Sequence, residues 1–420
     1  MLAGEHGDYS RWTGHIDYSG IPADVMQRDF RGAAVYNGET DHHFPYLTVA
    51  QTLRFAASTK TPRRRVYGIT RAEYIEKTTE ILGAAFGLRH TFNTRLLTRA
   101  SVTCWDNPTR GLDSSTSLDF AKALRVATSL TSNVSISALY QPGDNLAGIY
   151  DKVLLLHQGR QVWFGGLEQA KEYFQGLGFV CSPRETAAEF LVSVTDTNAA
   201  RIRPGYEQRV PRTPEEFEAE WKKSSYYQSL QTSLAHHEAD HGIHTEHSDH
   251  MTRFKAARKA EKSPAARTKS PFTIDLAMQF STTMNRAYQR IRGEYAYYVA
   301  ITVTMAVVPL MTGSMFYDIS HQSSGFFSKG GVIFFIVLFN IIVCFAEISA
   351  QFSQRPIVEK QHSYAMYHPY VDALATMLSQ YPLKIFNIII FSAIVYFLAN
   401  LKREAGAFFI FVLFTYITTP

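Results

Sequence analysis

Two kinds of hydrophobic patterning divide the chain. Up to about residue 270, apolar positions come in short alternating or helix-period groups. Beyond it they fuse into runs with no polar face. The first part predicts helices at about 47–58, 71–87 and 114–130, with short β-rich runs between them at Ser101–Trp105, Asn133–Ser137 and Lys152–His157. The first two runs are apolar enough for strands covered on at least one face. The third is followed by Gln158-Gly159-Arg160 and then Gln161–Phe164, a turn between two apolar runs that predicts a β-hairpin.

From about 200 to 270 the pattern fades into Arg-Pro, Pro-Arg-Thr-Pro, Glu and Lys runs, and six histidines between His236 and His250. This reads as a charged linker, partly helical at 214–235. His237 and His241, four apart, offer two ring nitrogens to a metal if helical. Gly242 and the polar flanks favour a solvated linker instead. At 273–292, Ala277, Phe280, Met284, Ala287, Tyr288 and Ile291 recur at steps of three and four, with Arg286, Arg290 and Arg292 among the other positions. That predicts a helix lying in a membrane interface on its cytoplasmic side, the alternative being an ordinary soluble helix.

Four apolar runs follow, at about 297–317, 330–348, 381–401 and 405–420. The first three are long enough for a bilayer core of about 30 Å. The fourth is shorter, and the chain is expected to stop inside that span. Glu347 lies near the end of the second, and Lys384 is near enough to the start of the third to snorkel. Basic residues before the first span, and Arg355 and Lys360 between the second and third, predict a cytoplasmic side there. Lys402 and Arg403 run against that rule.

Composition sharpens this division. The 420 residues are 46% hydrophobic and 19% charged, and their mean hydropathy of −0.13 averages two unlike halves. A purely soluble enzyme, a disordered chain and a fibrous protein are excluded. The net charge of +5 is too small to argue for nucleic acid, and membrane-flanking Lys and Arg account for it. Cys104, Cys181 and Cys344 show no paired spacing, which fits a reducing compartment. The N-terminus has neither the basic nor the apolar region of a signal peptide.

The most specific chemistry lies in Ala100-Ser-Val-Thr-Cys-Trp-Asp-Asn-Pro-Thr-Arg-Gly-Leu-Asp-Ser114. An apolar strand ends in Asp106, and a tight turn leads into a helix. In phosphate-binding NTPases an Asp so placed holds Mg²⁺ near the phosphates. In this segment the chain resembles an ATP-binding cassette transporter, with a Walker B strand ending at Asp106 and a D-loop of Gly111, Leu112, Asp113 and Ser114. The order of soluble domain before spans resembles the G subfamily. The wording around Asp106 and from Phe30 to Val49 resembles the fungal pleiotropic drug resistance type. Those proteins carry two cassettes and two membrane domains. The resemblance covers nearly the whole chain, from just after the family's Walker A to the fourth span of its first half.

The resemblance implies a fold and a set of roles. The fold is an α/β nucleotide-binding-domain remnant, an incomplete P-loop NTPase-like ABC cassette, at 1–200. A charged, His-rich linker follows at 201–272, then an all-α polytopic membrane domain of ABC-2 type at 273–420. The implied cofactors are ATP and Mg²⁺, with Asp106 on the metal in an intact parent. Arg355–Gln361 resembles the cytoplasmic coupling helix, with Glu359 and Lys360 as coupling residues. The plainer reading is a loop in which Arg355 and Glu359 pair one helical turn apart. The plainer reading of Asp106 is a helix cap before Pro108, and Trp105 is expected to pack rather than stack on adenine. The implied partners are membrane lipid, a second cassette and membrane half, and an amphipathic xenobiotic or lipid substrate, at the plasma membrane.

The departures from the family bear on activity. No G-x-x-x-x-G-K-[ST] occurs, so the phosphate cradle of backbone N–H groups is missing; the family would place it just upstream of Met1. The signature motif is absent too. It is expected between Thr91–Arg95 and Ala100, which are joined here by Leu96-Leu-Thr-Arg99 as if by a deletion. Asn107 stands where an active cassette has its catalytic Glu, and an amide cannot take a proton from water. Tyr140 replaces the switch His, and Glu39 stands in place of the Q-loop Gln. The chain is therefore expected to be part of an ATP-driven exporter with no hydrolysis of its own. The alternative is a membrane-anchored, catalytically dead interaction subunit.

Overall fold

The computed structural model describes residues 2–4, 15–39, 42–65, 68–85, 100–241, 247–267 and 269–418. The Leu96–Arg99 junction lies outside them, as do the side chains of Cys344 and of the histidines from His241 to His250. In chain order the first elements are β1 (Asp17–Tyr18), β2 (Ile21–Pro22), α1 (Ala23–Asp29), β3 (Ala34–Asn37), α2 (Val49–Thr59) and α3 (Arg71–Ala85). Next come β4 (Val102–Asp106), α4 (Ser114–Thr131), β5 (Val134–Ala138), α5 (Asp144–Ala147), β6 (Val153–His157) and β7 (Arg160–Gly165). The helices α6 (Leu167–Leu177), α7 (Ala187–Val194), α8 (Pro214–Lys223), α9 (Ser225–His241) and α10 (His247–Glu261) complete this part. The remainder is helical: α11 (Leu276–Gly293), α12 (Tyr295–Met315), α13 (Phe326–Ser363), α14 (Pro369–Leu398) and α15 (Ala405–Thr418).

The chain groups into two compact units. One holds residues 1–41 and 80–261; the other holds 42–79 and 262–420. In the first, β3, β4 and β5 form a parallel sheet in that order, with Ala34 opposite Val102 and Val102 opposite Val134. Parallel neighbours need a crossover, which α4 supplies between β4 and β5. The hairpin expected after Lys152 is present as β6 and β7. Its turn residues Gln158 and Gly159 both take positive φ, 47° and 82°, as a tight hairpin turn requires.

The core of this unit corrects the linker reading. Trp163 of β7 packs with Phe174 of α6, Phe190 of α7, and Phe217 and Trp221 of α8. Ring centroids of Trp163 and Trp221 lie 4.9 Å apart. So α8, inside the stretch read as charged linker, fills a core. Its Glu and Lys residues lie outward while Phe217 and Trp221, four apart, turn inward.

Among the described residues of the second unit, three helices are long and apolar enough to cross a membrane: α12, the segment Ser323–Ser363 containing α13, and α14; α15 is a shorter apolar helix. Met305, Val332, Ile336, Phe391, Val395 and Tyr396 form their shared core, with Phe339 stacked on Phe391 at 5.7 Å. The expected span at 330–348 is part of a 38-residue helix. The stretch after 348, expected as a loop between spans, continues that helix through Gln354 and Lys360 to Ser363. Residues 42–79, counted with the first domain from sequence, pack in this unit. α2 opens with a capping box in which Thr48 and Gln51 exchange hydrogen bonds.

α11 forms over most of the expected stretch. Gln279, Thr283, Arg286 and Ala287 are buried, Phe280, Met284 and Ile291 of the apolar set are half-buried, and Ala277 and Tyr288 are exposed.

Candidate functional site

Parallel pairing sets the geometry of the first candidate site. In such sheets, ligands gather outside the carboxyl ends of the strands. Glu39 lies two residues past the end of β3, Asp106 ends β4 with Asn107 just after it, and Tyr140 lies two past the end of β5. Four residues singled out from sequence, from three separate stretches of the chain, thus share one sheet edge.

Two hydrogen bonds tie that edge together. The Tyr36 hydroxyl donates to Asp106 Oδ2 at 2.8 Å, and Asn107 Nδ2 donates to Glu39 Oε1 at 3.0 Å. Arg110 adds an ion pair to Glu39 at 2.8 Å. The Asn107 amide, followed by the Arg110 guanidinium, holds the Glu39 carboxyl below the usual carboxylate range. Asn107 itself sits at φ 44°, a left-handed conformation that Asn tolerates better than most residues, and its N–H donates to Ala138 O at 2.9 Å. Tyr140 is 74% exposed.

The turn beyond carries the expected D-loop residues. Gly111 takes φ 75°, Leu112 is exposed, and Ser114 opens α4. Asp113 is the N-cap of α4. It accepts from the Ser115 and Thr116 N–H groups at 3.2 and 3.3 Å and from the Thr116 hydroxyl. Hydrogen bonds from Thr116, hydroxyl first, hold its carboxyl low. Trp105 is buried edge-on against Phe120 at 5.4 Å, and its indole N–H donates to Thr103, so it packs.

Charge decides what this edge can hold. Asp106, Glu39 and Asp113 are carboxylates, and among the named groups only Arg110 opposes them, already paired with Glu39. A polyphosphate needs the opposite balance. Among the described residues no group of three or more His, Cys, Asp or Glu comes together to hold a metal.

The second candidate site is a buried polar cluster in the other unit. Arg286 of α11, 2% exposed, pairs with Asp372 of α14 at 2.5 Å. It also donates to Gln361 Oε1 at 2.6 Å and to the Tyr367 hydroxyl at 3.0 Å. The guanidinium stacks over the Phe55 ring at 3.8 Å and near Phe44 at 4.9 Å. Beside it, Arg290 lies over Phe44 at 4.2 Å and donates to Gln354 at 2.7 Å. Burial pushes the Tyr367 hydroxyl up to about 12, so it remains a neutral donor, to Gln361 Oε1 at 2.6 Å.

Of the expected coupling residues, Lys360 donates to His42 O at 3.2 Å, and Glu359 pairs with Arg355 at 2.6 Å on an exposed helix face. Arg286 and Gln361 were named from sequence only as members of their segments, and their meeting with Tyr367 and Asp372 was not expected. The available signal was Asp372, a lone acid four residues into a long apolar helix.

Residues 278–419 match the ABC-2 type transporter family. Over its full length the chain is 40% identical to the ABC multidrug transporter atrG of Aspergillus oryzae, of which it spans 29%. Ninety-nine per cent of it aligns with the ABC multidrug transporter SNQ2 of Candida glabrata at 40% identity, covering 29% of that protein. The ABC-type transporter eriD of Hericium erinaceus aligns at 38% identity over 99% of this chain and 30% of its own length. The alignment with the Aspergillus oryzae protein runs over 441 positions against the 420 residues here, so that relative carries residues this chain lacks.

Proposed function

We propose that the chain, which is similar over its length to part of fungal ABC multidrug transporters, is part of an ATP-driven exporter of amphipathic xenobiotics or lipids. Residues 1–200 serve as an incomplete, degenerate nucleotide-binding cassette. Residues 273–420 contribute helices to the membrane path, with the N-terminal region cytoplasmic and the plasma membrane as address. ATP and Mg²⁺ act in the assembled exporter through a second cassette, and this chain's own edge holds neither unaided.

The observation that carries this reading is the uncovered sheet. An all-parallel sheet is ordinarily covered on both faces. Here Val134 and Ile136 of β5 are 55% and 40% exposed. We read that face as the place where the rest of a cassette packs. The longer alignment of the Aspergillus oryzae relative supports residues missing from within this chain, as the Leu96–Arg99 junction suggests. At the edge, the Asn107 amide is engaged with Glu39 where a general base is needed.

The alternative is a membrane-anchored interaction subunit with no nucleotide chemistry, and the same silent edge favours it. The size of the native product separates the two. An immunoblot of native membranes against residues 200–270 is expected to show a product well above the 47.5 kDa of this chain. A band at that mass, with the transcript joining Arg95 to Ala100 as given, would favour the interaction subunit.

A further inference from the structure

A Lys-Ser-Pro triplet occurs twice in the strap that leads into α11, at Lys262-Ser263-Pro264 and at Lys269-Ser270-Pro271. In each, the proline lacks a backbone N–H and biases the serine before it towards an extended form, the form in which a protein kinase takes up a substrate strand. The two triplets are alike in sequence and unlike in the fold. Pro264, Ala265 and Arg267, which follow the first serine, are exposed. Phe272, Thr273 and Ile274, which follow the second, are buried in the second unit, with the Phe272 ring 4.1 Å from that of His368. Only the first triplet leaves the residues after its serine open to an enzyme.

Ser263 also fastens the strap. Its hydroxyl donates to Asp275 Oδ2 at 2.8 Å, and its N–H donates to the Thr273 carbonyl at 2.8 Å. Asp275 is the N-cap of α11 and accepts from the Met278 N–H at 2.9 Å. Burial alone would raise the Asp275 carboxyl, but the hydrogen bonds from Met278 and Ser263 outweigh it and hold the group below its ordinary range. A phosphate on Ser263 therefore loses the hydroxyl donor and meets an ionised carboxylate at contact distance. The cation beside Asp275 is Arg71, which is half-buried and already donates to the Ser58 carbonyl at 2.9 Å.

We propose that Ser263, and not Ser270, is a phosphorylation site for a proline-directed protein kinase, and that its phosphate releases the strap from Asp275. In the transfer, Ser263 Oγ attacks the γ-phosphorus of ATP held by the kinase. The bond from that phosphorus to the bridging oxygen breaks, ADP leaves, and the hydroxyl proton passes to the kinase's base. The product carries close to two negative charges where a neutral donor stood. In the cell, kinase and ATP reach the strap from the cytoplasmic side, so the cellular role rests on the placement proposed above, whereas the choice of serine and the release do not.

The test treats the full chain, in nanodiscs of neutral phosphatidylcholine, with a purified kinase of the cyclin-dependent type and Mg·ATP. A peptide of residues 259–275 is treated alongside. Mass spectrometry locates the phosphate, and brief trypsin treatment reads the strap through cleavage after Arg267 and Lys269, both exposed. The peptide should be modified at both serines, and the folded chain at Ser263. Phosphorylation should speed cleavage by about tenfold, the worth of one hydrogen bond to a charged group, and Ser263→Glu should do so without the kinase. No phosphate on Ser263 of the folded chain overturns the site, as does equal phosphate on Ser270. Unchanged cleavage of the phosphorylated chain overturns the release. Both faces of a nanodisc are open to the kinase, so a failure here falls on the site and not on the cytoplasmic placement.

Discussion

Arg286 is a cation taken out of water, and its neighbours show how the chain tolerates it. Asp372 supplies the opposite charge, Gln361 and Tyr367 take further hydrogen bonds, and Phe55 receives the flat face of the guanidinium. Removing one partner of such a pair leaves a buried charge, which costs about 3 to 5 kcal/mol. Asp372→Ala is therefore expected to lower the melting temperature sharply. The double change Arg286→Met with Asp372→Leu should recover much of the loss, because it removes both charges together. Arg286→Lys should behave like a loss, since an ammonium cannot stack and fork at once. At the sheet edge, pH reports the same logic. The Glu39 carboxyl is depressed in the folded chain, so its contribution is present above its unfolded value of about 4.3 and fades as pH falls through the folded one. Asn107→Ala removes the main cause of that depression. The melting-temperature gap between the two proteins should be open at pH 6 and narrow towards pH 3. A gap that does not change with pH would show that the Asn107–Glu39 bond is not the cause. Residues at strand ends were legible because Asp106 and Asn107 follow an apolar strand directly. The Arg286–Asp372 pair was not, because its members lie 86 residues apart and only the fold brings them together.

Among the elements, length and hydrophobicity located α12 within two residues at each end, but α14 begins at Pro369, twelve residues before the apolar run expected from Tyr381. They failed where a helix outlasts its apolar run. α13 continues past Ile348 through Ser, Gln, Arg and Glu to Ser363, held by backbone hydrogen bonds that do not depend on apolar side chains. α11 was legible as a helix, but the burial of Arg286 on it was not. Periodicity gives two faces, and the buried one is chosen by what the partner offers; here the partners offer Asp372, Gln361 and aromatic rings. This yields a test of the face. Tyr288→Ser, on the outward side, should change stability by less than about 0.5 kcal/mol, whereas Thr283→Leu should cost about 1 to 3 kcal/mol by overfilling a packed site. Unfolding of both variants in detergent checks it, and the reverse ranking would contradict the burial of Thr283. The Gly111 turn is a smaller case. A Cβ there meets nothing within 4 Å, but φ is 75°, so Gly111→Ala should cost about 1 kcal/mol through the backbone alone.

For the whole molecule, hydrophobic patterning separated a mixed strand-and-helix part from an apolar helical part, and the ABC-2 match at 278–419 falls in the latter. The division was less clean than the pattern implied. Residues 42–79 read as soluble α/β sequence yet pack with the membrane-type helices, because α2 meets α11 through Phe55 and Arg286. Such a contact leaves no periodic trace in either segment. The first unit carries Glu39, Asp106 and Asp113 at or beyond the carboxyl ends of its parallel strands, and in the proposed reading it is a degenerate cassette that does not hydrolyse ATP. The most direct measurement is ATP hydrolysis by the purified 420-residue chain in lipid nanodiscs. No rate above a protein-free control is expected, with or without Mg²⁺. A vanadate-sensitive rate that Asp106→Ala abolishes would contradict the account.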